Sequence, residues 1–180
     1  MLQITIPGAE LFDEQTMKRV RTKTTTLQLE HSLVSLSKWE SKWKKAYLNN
    51  TDITPEMSVD YVRCMTLTQN VDPRVYQFLT EQNMEEIRAY IDDPMTATTF
   101  KNVSRPGMNQ IVTAEIIYYW MITLGIPWDP CQKWHLNRLM TLIRVCDEKS
   151  SPKKRMSRRE ATQHQHNINA ARRARYRTNG

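Results

Sequence analysis

The segment 109–146, NQIVTAEIIYYWMITLGIPWDPCQKWHLNRLMTLIRVC, constrains the fold more than any other part of the chain. It reads as two apolar helices joined by an elbow at Gly125, Ile126, Pro127 and Trp128. Ile111, Ala114, Ile117, Met121 and Leu124 recur at three- and four-residue spacings, and Tyr118 and Trp120 widen that apolar face. Gly125 suits a left-handed C-cap, and Pro127 forbids the first helix from continuing. The second helix is predicted to start with Asp129 as N-cap, Pro130 at its first position and Gln132 closing a capping box. Its core-facing positions are Cys131, Trp134, Leu139, Leu142, Ile143 and Cys146. Two short helices this rich in Trp, Tyr and Ile are not stable alone, so this hairpin must pack on itself and on the rest of the chain.

Ahead of the hairpin the period of the sequence changes twice. Residues 2–7 alternate apolar and polar with period two, the later MKRVRTKTTTLQLE leans to β through Val20 and the β-branched Thr22, Thr24, Thr25 and Thr26, and Pro7-Gly8 and Asp13-Glu14-Gln15 mark turns between them. They predict a small antiparallel sheet of three or four short strands. From Ser32 to Tyr47 the spacing of Leu33, Leu36, Trp39 and Trp43 predicts a helix. Thr54-Pro55 opens a second, with Met57, Tyr61, Cys64, Met65 and Leu67 inward. A short helix follows Asp72-Pro73, carrying Val75, Phe78 and Leu79; another opens at Asn83, runs through Ile87, Tyr90 and Ile91, and ends at Asp92-Asp93-Pro94. MTATTF at 95–100 is extended by propensity and is a candidate strand. The segment after Cys146, DEKSSPKKRM, reads as a linker, and Ser157 with Glu160 forms a second capping box that predicts a C-terminal helix. Together these give an α+β fold, mainly α: a small N-terminal antiparallel sheet at 1–30, a helical body at 31–148 built on the 109–146 hairpin, and a basic C-terminal helix or tail at 149–180.

Charge follows the same division. Residues 1–148 hold 16 Lys and Arg against 18 Asp and Glu, a net of −2, whereas 149–180 hold ten basic residues and one Glu, a net of +9. The overall +7 is therefore a property of the tail, an asymmetry typical of interaction tails. Cys64, Cys131 and Cys146 are an odd set without paired spacing, which predicts free thiols in a reducing compartment. The opening MLQITIPGAEL lacks a signal peptide's basic and apolar regions, and no apolar run reaches the ~20 residues a membrane span requires.

Catalytic and metal chemistry find little support. His164 and His166 do not share a helical face and have no Cys nearby, so no metal site is expected, and nothing indicates a cofactor. Cys131 and His135 have the i, i+4 spacing of a thiol–imidazole pair, but a buried Cys acting as a small hydrophobe is far commoner. Adjacent carboxylates at Asp92-Asp93 and Glu85-Glu86 do not face one another on a helix. There is no Gly-rich phosphate loop, GxSxG or HExxH, and the chain is expected not to be an enzyme. The candidate binding residues are two basic clusters, Lys153, Lys154, Arg155, Arg158 and Arg159, then Arg172, Arg173, Arg175 and Arg177, each suited to a polyanion. Of the five tryptophans four fit core spacing or the hairpin, and Trp128 in the elbow is the candidate interface aromatic.

Five stretches carry a resemblance: TTLQLEHSLVSLSKWESKW (25–43), YVRCMTLTQNVDPRVY (61–76), YIDDPMTATTF (90–100), EIIYYWMITLGIP (115–127) and CQKWHLNRLMTLIRVC (131–146). They resemble the tail assembly chaperones of long-tailed, siphovirus-type double-stranded DNA bacteriophages, which are encoded upstream of the tape measure protein. The resemblance covers almost the whole chain and transfers no catalytic residue. It implies a non-catalytic protein of the host bacterial cytoplasm, absent from the mature virion, that binds the tape measure protein and keeps it soluble while the tail tube assembles around it. It also implies the tail tube protein as a second partner. Family members are often made in two lengths by programmed frameshifting. Self-association stays open, no membrane partner is expected, and two other functions remain: a nucleic-acid-binding accessory phage protein acting through the basic tail, and a minor virion structural protein.

Overall fold

The computed structural model describes residues 1–13, 18–48, 50–100, 111–150 and 158–176. It is an α+β protein, mainly α, with an N-terminal antiparallel β-structure followed by helices. The chain divides into two compact units, Met1–Asp147 and Glu148–Gly180.

The strands are β1 (Leu2–Ile6), β2 (Glu10–Asp13), β3 (Lys18–Arg21) and β4 (Thr25–Leu29). They do not make one four-stranded sheet. β1 pairs only with β4 and β2 only with β3, both antiparallel. Leu2 faces Leu29 in the first pair and Glu10 faces Arg21 in the second, so both pairs keep one common register. The structure is a single long two-stranded ribbon interrupted at Pro7-Gly8. Gly8 is required at the break, because a Cβ there would lie 2.7 Å from the Thr22 carbonyl oxygen and 2.9 Å from the Thr24 nitrogen. Thr22 bridges the gap, accepting the Ala9 N–H on its hydroxyl at 3.0 Å and donating its own N–H to the Ala9 carbonyl at 2.8 Å. Alternation puts Ile4, Ile6, Leu27 and Leu29 on the buried face. Residues just after the second helix run beside β4, where the Leu67 N–H reaches the Gln28 carbonyl at 2.8 Å and the Glu30 N–H reaches the Met65 carbonyl at 2.9 Å.

The helices of the first unit are α1 (Leu33–Trp43), α2 (Pro55–Met65), a 3-10 turn (Pro73–Phe78), α3 (Glu81–Asp92), α4 (Ala114–Thr123), α5 (Trp128–Cys131) and α6 (Leu136–Ser150), which runs just past its end; α7 (Arg158–Tyr176) lies in the second. Several differ from expectation. α1 stops at Trp43 instead of reaching Tyr47, because Lys44 takes a left-handed C-cap conformation (φ 55°). α3 starts at Glu81, as the capping box belongs to Thr80 and Asn83. Leu67, expected inward, lies beyond the end of α2 and is exposed. In the 3-10 turn Val75 and Tyr76 are the buried pair, while Phe78 and Leu79 are half-buried. Residues 95–100 form no strand. The expected linker after Cys146 is helical as far as Ser150, because α6 continues through Asp147, Glu148 and Lys149. Residues 151–157, including Ser157 of the second capping box, lie outside the described residues.

The hairpin carries the largest correction. α4 starts at Ala114, so Ile111 lies before it and is exposed. Gly125 takes the left-handed conformation expected (φ 65°). The second helix, however, is not continuous and has no capping box at Asp129. Asp129, held extended before Pro130, breaks the one-turn α5, and its carboxylate pairs with Lys133 at 2.8 Å. Residues 132–136 instead bond to the start of α1: the Val34 N–H reaches the Gln132 carbonyl at 3.4 Å, and the Leu136 N–H reaches the His31 carbonyl at 2.7 Å. α6 then begins at Leu136, with the ring of His135 accepting the Asn137 N–H at 3.3 Å, as a cap does.

The core has two parts that meet along α1. One holds the ribbon's Ile4, Ile6, Leu27 and Leu29 with Trp39, Met57, Tyr61, Val62, Met65, Ile87 and Tyr90. The other holds Leu33 and Leu36 with Ala114, Ile117, Met121, Ile126, Leu136, Leu139 and Ile143. α1 serves both, since Trp39 points to the first and Leu33 and Leu36 to the second.

Candidate functional site

A helix that is apolar all round normally belongs in the interior. α4, AEIIYYWMIT, is such a helix, yet only Ala114, Ile117 and Met121 are buried. Tyr119 is 62% exposed and Ile122 61%, and Ile116, Tyr118 and Trp120 are half-buried. Beside this outward face, α4 and α6 enclose a groove of about 560 Å3, lined by Phe100, Trp120, Leu124, Met140, Ile143 and Arg144 among others. The Arg144 guanidinium lies 3.9 Å from the centre of the Phe100 ring, a cation–π contact at the rim. Trp128, at the start of α5, is 50% exposed, its ring centre 5.0 Å from that of Tyr118. The other tryptophans are covered to different degrees: Trp39 is fully buried, and Trp43, Trp120 and Trp134 are half-buried.

α4 is held by groups from elsewhere in the fold. Thr113, at its N-cap, makes no side-chain cap bond. Glu40 of α1 supplies the missing acceptor: one carboxylate oxygen takes the Ala114 N–H at 2.7 Å and the other takes the Tyr47 N–H at 3.0 Å. Burial pushes the Glu40 carboxyl above its ordinary range, and these two N–H bonds counter part of that rise. At the other end the Ile126 N–H closes onto the Met121 carbonyl at 2.8 Å, and Ile126 is buried.

The seam between the two core parts is polar. His31 and His135 are both buried, their ring centres 5.2 Å apart. His31 Nδ1 shares a 2.7 Å hydrogen bond with the Tyr61 hydroxyl. His135 Nδ1 accepts from Asn137, so Nε2 carries the proton and donates to the Tyr90 carbonyl at 3.0 Å. Burial, reinforced by the neighbouring His135, lowers the His31 pKa from 6.5 to about 3. Both His135 nitrogens are thus committed to backbone partners, and the i, i+4 pairing with Cys131 considered from spacing does not form. Cys131 is a buried free thiol, and Cys64 and Cys146 are half-buried free thiols.

Of the basic candidates, Arg159, Arg172, Arg173 and Arg175 are exposed on α7, and Arg158 is its first residue. Lys153, Lys154, Arg155 and Arg177 lie outside the described residues. His164 and His166 are exposed on α7. Among the described residues no group of three or more His, Cys, Asp or Glu could hold a metal ion, and no helix is long and apolar enough to cross a membrane.

Sequence reasoning missed the α4–α6 groove, the Glu40 cap and the buried histidine pair. The composition of α4 carried a signal for the first: ten residues with one charge, too apolar for a helix covered on one side only. Comparison with known proteins adds no relative, since no protein-family model, curated protein or solved structure matches the chain.

Proposed function

We propose that the protein is a tail assembly chaperone of a long-tailed bacteriophage, a non-enzymatic protein that binds the tape measure protein and keeps it soluble in the host cytoplasm during tail assembly. The observation that carries this reading is the outward face of α4, where Tyr119 and Ile122 stand exposed beside an apolar groove. Such a face suits the apolar stripe of a client helix laid along it, which would otherwise aggregate. The resemblance of the five sequence stretches supplies the identity of the client, and the tail tube protein is the second partner it implies.

The test is co-expression of the tape measure protein with the parent chain or with a Tyr119→Ser/Ile122→Ser variant. The parent raises the soluble fraction of the client and co-purifies with it. Loss of two exposed anchors weakens capture by roughly tenfold or more, at about 1 kcal/mol or more each, while the variant's helical content stays unchanged. Equal client solubility with and without the chain refutes the proposal. So does its recovery in stoichiometric amounts from purified particles, which would favour a virion structural role.

A further inference from the structure

The pattern along α7 points to a ligand different from a client helix, and on different residues. Arg172 and Arg173 near its C-terminal end and Arg159 near its start are exposed. Between them Gln165 and Asn169 lie one helical turn apart and are joined by a 3.4 Å hydrogen bond, which fixes them on one face. Steps of seven from Arg159 lead to His166 and Arg173, and steps of seven from Gln165 lead to Arg172, with Tyr176 one turn beyond. The register thus gathers Arg159, Arg172, Arg173 and both amides into one stripe. Ala171, Ala174 and Arg175 fall on the far side.

We infer that α7 is a duplex-DNA-binding helix that lies in the major groove, with Arg159, Arg172 and Arg173 on phosphates and Gln165 and Asn169 on base edges. The dimensions agree. A helix with side chains is about 10–12 Å across and the major groove of B-DNA is about 12 Å wide. From Arg159 to Arg173 the helix rises about 21 Å, so arginines at both ends reach the groove walls while the middle faces the bases. Asn and Gln are the side chains that read adenine bidentately there. The deep, narrow major groove of A-form RNA does not admit a helix. A single aromatic, Tyr176, gives too little stacking surface for a single strand. With Ile168 its only aliphatic residue larger than alanine, α7 lacks the apolar face that an anionic membrane would take up. The inference does not depend on client binding by α4, and neither result decides the other.

The experiment is fluorescence anisotropy with the full chain and three probes: a 24-base-pair DNA duplex, an RNA duplex of equal length and phosphatidylglycerol vesicles. The three phosphate contacts give a slope of about −2.7 in log affinity against log salt. DNA affinity therefore falls roughly fortyfold between about 50 and 200 mM salt. Arg172→Ala/Arg173→Ala reduces that fall to about fourfold. Gln165→Ala/Asn169→Ala leaves the salt slope alone and weakens DNA binding about tenfold or more at every salt concentration. All four positions are on a solvent-facing helix, and circular dichroism of the variants confirms unchanged helix content. The inference is overturned by no DNA binding at about 50 mM salt, by equal binding to all three probes, by an unchanged slope in the arginine variant, or by undiminished DNA affinity in the amide variant.

Discussion

Acidification is the perturbation to which the core is most exposed, and His31 sets the window. Its side chain is 1% exposed between Tyr61 and His135, and its pKa in the fold is about 3 against 6.5 when free. The fold therefore prefers the neutral imidazole. Between pH 6.5 and 3 the unfolded chain binds a proton that the folded chain does not, so stability is complete above pH 6.5 and falls as the pH drops. At 1.36 kcal/mol per pH unit the loss is about 2 kcal/mol at pH 5 and about 3 kcal/mol at pH 4. That is a large share of the roughly 5–15 kcal/mol a domain possesses. Glu40 acts with the opposite sign: its raised carboxyl pKa makes the folded state take up a proton more readily than the unfolded one, so acid favours its burial. That contribution sets in as the pH falls through the raised folded pKa and is complete at the ordinary value of 4.5, so it offsets part of the histidine loss, and the difference between parent and a His31 variant isolates the histidine. Urea denaturation followed by fluorescence of the buried Trp39, at pH 7.5, 6, 5 and 4, measures the profile. His31→Gln keeps a polar group for the Tyr61 hydroxyl and removes the titration, so its stability is lower at pH 7.5 and does not share the parent's fall towards pH 5. Parallel profiles for parent and variant would refute the assignment of this acid loss to His31.

Glu40→Ala leaves the Ala114 and Tyr47 N–H groups without their acceptor. It costs about 2–3 kcal/mol in chemical denaturation, and Glu40→Gln, which keeps one carbonyl oxygen, costs less than half of that. Gly125→Ala meets no atom within 4 Å, so its cost is backbone strain at φ 65° alone, about 1–2 kcal/mol, with hydrogen exchange fastest in the elbow after α4.

The readable parts of this fold are those governed by local rules. Thr54-Pro55 starts α2, Asp72-Pro73 starts the 3-10 turn, and Gly125 ends α4, because a cap or a ring decides each within a few residues. The failures occur where a distant partner outbids the local preference. Asp129, Pro130 and Gln132 spell a helix start, yet residues 132–136 give their hydrogen bonds to the first turn of α1, and the helix begins four residues later under His135. Lys44 leaves α1 early, and the Tyr47 N–H beyond it goes to the Glu40 carboxylate. Ile111 has the correct spacing for α4 and is nonetheless outside it, because Glu40 fixes the first helical N–H at Ala114. The basic residues of α7 were evident from charge, but the common face of Arg159, Arg172 and Arg173 with Gln165 and Asn169 emerges only once the helix is known to run unbroken from Arg158 to Tyr176.

The manner in which α4 is held bears on what its exposed face can do. Glu40 secures its first turn, Ile126 its last, and Ala114, Ile117 and Met121 one side, so the remaining side is a rigid platform before any client arrives. Docking there requires no ordering of the helix, which removes one of the ordinary costs of association. The gain is nevertheless small. Tyr119, Ile122 and Trp128 are already partly covered, and completing their burial contributes together roughly 3–5 kcal/mol. The loss of rigid-body freedom costs about 4–15 kcal/mol. One copy on one stripe is therefore a weak and rapidly reversible contact. On the proposed reading, retention of a long helical client comes from several copies bound along it, and their individual weakness is what lets tail tube subunits displace them one at a time.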